Sequence, residues 1–151
     1  MNEYSIPAIE RLLRNYPSIN EDIDRLQKEL QWNIKLKEEL GESLSLGALA
    51  PKEIPIETQG SDPVFNAMQI IEKIQKEIDR LWKQITTLYD NQLTVKALLM
   101  KLTRNEKHVI EARYFHRPPV TWGKIARELC YDKRSCHRFK MEALKKMASQ
   151  F

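Results

Sequence analysis

The sequence predicts an all-α protein, in which a long helical hairpin or coiled-coil segment precedes a C-terminal three-helix unit. Three observations point there. Apolar residues recur at steps of three, four and seven over long stretches, which is helical spacing and not the alternation of strands. Proline and glycine are absent from Val64 to Arg117, leaving an unbroken tract long enough for an extended helix. Polar caps followed by glutamate three residues later mark helix starts, as at Thr103 and Glu106.

In chain order, Ile6, Ile9, Leu12 and Leu13 suggest a short helix ending near Tyr16-Pro17. Ser18 with Glu21 reads as a capping box. Ile19, Ile23, Leu26, Leu30 and Ile34 then carry a second helix to about Leu40, with Gly41 as its C-terminal cap. The stretch from Gly41 to Pro63 holds Gly47, Pro51, Pro55 and Gly60, so residues 41–62 read as a linker. Ser61-Asp62-Pro63 is a helix start, a polar cap with proline in the first turn. The series Val64, Met68, Ile71, Ile78, Leu81, Ile85, Leu88, Val95, Leu99 and Leu102 follows, interrupted at its seam by Gln75 and Gln92. A seven-residue repeat of that length implies coiled-coil packing. Its partner is either the helix from Ser18 to Leu40, folded back, or the same helix of a second copy. Seam positions left without a partner would expose apolar surface, and on that ground a homodimer is expected.

Residues 1–101 thus form a helical oligomerisation region and residues 102–151 a separate unit of three helices. The first of the three follows Thr103, buries Val109, Ile110, Ala112 and Tyr114, and must end before Arg117-Pro118-Pro119. Thr121 caps the next, from Trp122 to about Leu129. After Cys130-Tyr131-Asp132, with Asp132 as cap, the last helix runs to about Met147. Two helices crossing over a three-residue turn need a small residue at the close approach, which Ala126 supplies. They also need apolar residues facing inward, here Ile125, Leu129, Cys136 and Phe139, with Tyr131 plugging the turn. Cys130 stands where glycine is common, and a positive φ is costly there for any other residue.

Charge separates the two parts. From Lys101 to Phe151 there are 13 Lys and Arg against 5 Asp and Glu, whereas the first hundred residues hold 12 against 16. An anionic partner is therefore expected for the C-terminal third only, and nucleic acid is the commonest. With Cys136 and Phe139 turned inward, Lys133, Arg134, Ser135, His137, Arg138 and Lys140 face outward on the last helix, with Lys145 and Lys146 beyond. The first turns of such a helix enter the major groove. Arg134 and Arg138 share a face and can each donate two hydrogen bonds to guanine. Ser135 and His137 can reach base edges or phosphates. Lys124, Arg127 and Lys133 are placed for phosphates, which fix register without reading sequence. The competing reading is a solvated basic helix in a small bundle.

The residues from Leu102 to Met147 resemble region 4 of the sigma-70 class of RNA polymerase sigma factors, which recognises a promoter element. The run Leu129-Cys130-Tyr131-Asp132-Lys133-Arg134-Ser135-Cys136-His137-Arg138-Phe139, then Ala143-Leu144-Lys145-Lys146-Met147, keeps that family's polar and apolar order. Thr103-Arg104-Asn105-Glu106 and Tyr114-Phe115 match its first helix. The size and helical front resemble the small phage late-gene activators of Gram-positive bacteria, the RinA and ArpU type. The resemblance implies a sequence-specific binder of double-stranded DNA that regulates transcription together with RNA polymerase or its sigma factor, inside a bacterial host cell. The first hundred residues lack the basic helix interleaved with exposed aromatics that a complete sigma factor would need. Two other functions fit the same layout: a small terminase-like DNA-packaging subunit, and a region 4-like module that docks on polymerase or sigma and not on DNA.

Other chemistries are not expected. The four glycines are scattered, so there is no phosphate-binding loop. Cys130, Cys136, His116 and His137 lack zinc-ligand spacing, because two of them are adjacent and Cys136 is wanted in the core. No cofactor and no enzyme activity are expected. No stretch approaches the ~18 apolar residues of a membrane helix. Met1-Asn2-Glu3-Tyr4 does not open a secretory signal, and two free cysteines suit a reducing cytoplasm.

Overall fold

The computed structural model describes residues 5–49 and 63–150, with side chains in the first stretch described to residue 44. The described residues form six α-helices and one 3-10 turn, and no strand. The helices are α1 (Ile6–Asn15), α2 (Ile19–Leu49), α3 (Pro63–Leu99), α4 (Arg104–Tyr114), α5 (Trp122–Leu129) and α6 (Lys133–Ala148), with the 3-10 turn at Tyr16–Ser18. The all-α expectation holds. No described helix is long and apolar enough to cross a membrane.

Two boundaries differ from the sequence reading. Gly41 does not end α2, which continues to Leu49. Nothing lies within 4 Å of a Cβ built at Gly41, so the site is open and the helix runs through at a cost of roughly 1 kcal/mol relative to alanine. The linker expected over 41–62 is therefore helical to residue 49, and residues 50–62 lie outside the described ones, as do the caps expected at Ser61 and Asp62. At Ser18 the backbone passes from the 3-10 turn into α2 with helical dihedrals at Ile19, φ −58° and ψ −44°. The Ser18 hydroxyl donates back to the Asn15 carbonyl at 3.1 Å, so no capping box forms there.

The chain divides into two compact units, 22–87 and 1–21 with 88–151. The first consists of facing stretches of α2 and α3. Lys37 bonds Gln75, and Leu30 shares a groove with Trp82. Seven residues up α2 correspond to seven residues down α3, so the two helices run antiparallel within one chain. Of the alternatives left open by the heptad pattern, the described pairing is the intrachain hairpin. Ile23, Leu26, Leu30, Ile74, Leu81 and Ile85 are buried here. Ile74, outside the expected seam, is buried, while Met68 within it is 54% exposed. The drift follows from a helix of 3.6 residues per turn carrying a repeat of seven.

The second unit is built chiefly around its larger apolar cluster. It joins Ile9 and Leu13 of α1, Val95, Leu98 and Leu99 of α3, Ile110 and Tyr114 of α4, and Ala143, Leu144 and Met147 of α6. The boundary between the units therefore does not fall at 101–102. The amphipathic α1 and the last turns of α3 bury their apolar faces against the C-terminal helices and belong with them. Polar contacts follow the same seams. Gln92 donates to Asn20 at 2.6 Å, and the Tyr114 hydroxyl donates to Glu10 at 2.9 Å.

Candidate nucleic-acid interface

Each helix of the C-terminal part starts on a side-chain cap. Thr103 accepts from the Glu106 amide at 3.3 Å while the Glu106 carboxylate accepts from the Thr103 amide at 2.9 Å, a complete capping box. Thr121 accepts from the Lys124 amide at 3.3 Å, and Asp132 from the Ser135 amide at 2.9 Å. Between α5 and α6 the chain reverses over Cys130, Tyr131 and Asp132. Cys130 takes the left-handed conformation, φ 61° and ψ 36°. The Tyr131 amide closes the turn on the Ala126 carbonyl at 3.1 Å, the six-residue closure of a Schellman end.

A second apolar cluster fixes α5 and α6 against α4. Val109, Ala112, Ile125 and Cys136 are its buried centre, and Val120, Trp122, Ala126, Leu129 and Phe139 pack around them. Of the inward residues expected, Ile125 and Cys136 are fully buried and Ala126, Leu129 and Phe139 partly so. Tyr131 departs from the expectation. It is 47% exposed and lies edge-on against Phe139, centroids 5.1 Å apart, so it braces the turn from outside. Burial raises the Cys136 thiol above its ordinary range, with the Asp132 charge adding to the effect, which suits an inert core thiol.

This packing leaves a cationic outer face. Lys124, Arg127, Lys133, Arg134, Arg138 and Lys145 are all exposed. Arg134 and Arg138 lie one turn apart, and Met141 and Lys145 continue the same stripe. Arg138 makes a loose contact with Glu142 at 3.9 Å, too exposed to hold it. The Lys133 side chain crosses over Gly123, its Cε 3.7 Å from where a Cβ would stand. Arg127 reaches back to the Gly123 carbonyl at 3.4 Å.

Other residues of the expected set are differently employed. Ser135 hydrogen-bonds Asp132 through both hydroxyl and amide, and these bonds hold the Asp132 carboxyl below its ordinary range. Ser135 is therefore primarily a partner of the cap. His137 is exposed and stacks on Trp122, centroids 3.8 Å apart. The Lys140 ammonium stands 5.9 Å from the Tyr114 ring and 6.0 Å from that of Trp122. Trp122 packs against α4, with the Arg113 guanidinium 4.7 Å over its ring. Lys146 is exposed as expected and also donates to the buried Glu106 at 2.7 Å.

Sequence reasoning missed two groups. One is Glu106 as a charged centre of the fold. It is 2% exposed, and one of its oxygens, Oε2, has no hydrogen-bond partner. Burial raises its carboxyl, but the bonds from Lys146 and from the Thr103 amide and hydroxyl outweigh burial and hold it below the ordinary range. The other is the junction of α1 and α4. There Glu10 accepts from Tyr114 and pairs with Arg14 at 3.3 Å, while Arg117 donates to the Arg14 carbonyl at 3.1 Å. The amphipathic pattern of Ile6–Leu13 signalled a buried face without naming what would cover it.

Among the described residues, no group of three or more His, Cys, Asp or Glu is placed to hold a metal ion. The chain matches no curated protein and no solved structure. One family, described as a protein of unknown function (DUF722), matches residues 6–149. That span takes in every described helix, and the chain belongs to this family.

Proposed function

We propose that the protein is a sequence-specific double-stranded-DNA-binding regulator of transcription, with α6 as its reading helix. The observation that carries this reading is the exposed stripe of Arg134, Arg138 and Lys145 on a helix held by a buried cluster behind a three-residue turn. Here the cap at Asp132, the closed turn and the packing of Cys136 fix the direction in which both arginines project. Guanidinium groups one turn apart on a fixed helix suit two guanines in a major groove. Lys124, Arg127 and Lys133 flank them and serve phosphates, with Ser135, His137 and Lys140 along the edges. The resemblance to sigma region 4 adds RNA polymerase or its sigma factor as the partner in activation, in a phage-type late-gene setting.

Self-association belongs to the same proposal. Phe65, Met68 and Ile70 near the start of α3 are about half exposed and Trp32 and Trp82 more so, and such side chains favour a homodimer.

Selection of bound sequences from a random duplex library tests the reading, with wild type beside the double variant Arg134→Ala/Arg138→Ala. An enriched motif is expected, inverted-repeat in form for a dimer, and relaxed or lost in the variant. No enrichment at low salt would overturn DNA readout and favour a module that docks on polymerase.

A further inference from the structure

The N-terminal helix is not a remote oligomerisation element. Its last turn stands beside the same side of α6 that carries His137 and Lys140. Cations and aromatic rings alternate along this flank. Arg14 of α1 lies 5.8 Å from the Tyr114 ring, and Lys140 of α6 lies 5.9 Å from the same ring. Lys140 is also 6.0 Å from the Trp122 ring, over which Arg113 sits at 4.7 Å and on which His137 stacks at 3.8 Å. Arg117 is tied to the end of α1 through the Arg14 carbonyl, 3.1 Å away. Positive groups linked through shared rings thus recur from the proposed reading helix to the junction of α1 and α4. Arg14 and Arg117, at its far end, are both exposed. Among the described residues, the acid bonded to this end of the row is Glu10. Its carboxylate accepts from the Tyr114 hydroxyl and pairs with Arg14, so it is already partly neutralised.

We infer that α1 extends the duplex interface: Arg14 and Arg117 take backbone phosphates on the flank of α6, prolonging the row through Lys140 and Arg113. The inference rests on the DNA-binding reading and adds to it a binding site for nucleic-acid phosphate built from the two ends of the chain. The rings supply the rigidity. Tyr114 is buried and Trp122 half-buried, so the rings beside which these cations lie are themselves held in place. A row of cations without bidentate aim at a base edge is suited to the sugar–phosphate backbone, which is the same for every sequence. An acidic protein surface is the other anionic partner. Continuity with the reading helix inside one compact unit favours the duplex.

The test compares full-length wild type with Arg14→Gln/Arg117→Gln and with Arg14→Lys/Arg117→Lys. The probe is a duplex carrying the motif that wild type selects, titrated at several salt concentrations. The glutamine pair is expected to weaken binding uniformly across sequences and leave the selected motif unchanged. It should also flatten the slope of log affinity against log salt by about 2, close to one unit for each phosphate that is no longer neutralised. The lysine pair, which keeps the charge but not the guanidinium geometry, should restore both affinity and slope. An unchanged slope in the glutamine pair, or a weakening that lysine does not restore, would overturn the inference and leave α6 as the reading helix. Failure of wild type to bind any duplex would overturn both.

Discussion

Cys130 holds a backbone conformation that a side chain resists. At φ 61° the Cβ crowds its own carbonyl, which costs an L-residue roughly 1–2 kcal/mol. The turn between α5 and α6 nevertheless closes, because the Tyr131 amide finds the Ala126 carbonyl and Asp132 caps α6 immediately afterwards. Cys130→Gly removes the crowding and disturbs little else, since the thiol is exposed and makes only a long contact with the Arg127 carbonyl at 3.8 Å. The substitution is expected to stabilise the protein by about 0.5–1 kcal/mol in urea melts, the crowding relieved being partly offset by glycine's greater freedom in the unfolded chain. A drop in stability would mean that the thiol holds the turn. This strain was legible from spacing alone, because a three-residue turn between helices forces one residue into the left-handed region.

Helix starts were similarly legible. Thr103, Thr121 and Asp132 each cap the helix expected of them, because capping is decided within four residues of chain. Glu106 shows where local reading stops. The sequence identifies it as the third residue of a capping box, yet its second role, receiving Lys146 from α6, joins residues forty positions apart. The group binds α4 to α6 only as a carboxylate. Its carboxyl is held below the ordinary 4.5, so the stabilisation it contributes is fully present above that value. It is lost as the pH falls through the lower value of the folded state. Glu106→Gln keeps an acceptor for the Thr103 amide but gives up the charge. It is expected to cost about 1–2 kcal/mol at neutral pH. The deficit should shrink as wild type is acidified below pH 4.5, because wild type then loses the same interaction. Urea melts of both proteins at pH 7 and pH 3 measure this. A deficit that stays constant would show that the charge contributes nothing to joining the two helices.

The boundary between folding units is the property that the sequence conveyed least. The change of charge and the region 4-like pattern both suggested that residues 102–151 stand alone. Composition shifts mark where the surface changes character, whereas a folding unit is defined by what its apolar faces cover. Tyr114 meets Glu10 across 104 positions of chain, a contact that no spacing rule can supply. Five of the ten buried residues in the main cluster, Ile9, Leu13, Val95, Leu98 and Leu99, precede residue 102. Burying side chains of this size contributes about 1.5–3 kcal/mol each. Their removal therefore takes away a sum comparable to the roughly 5–15 kcal/mol by which a whole domain is stable. The remaining cluster around Ile125 and Cys136 is small, and chains of about fifty residues are marginal without disulfides or metals. The fragment 102–151 is expected to show weak helical circular dichroism and no cooperative thermal transition, while the full chain melts cooperatively. A fragment that melts at the temperature of the full chain would mean that the three C-terminal helices carry their own core. The docking of α1 and the end of α3 would then be an addition to a finished domain instead of part of its making.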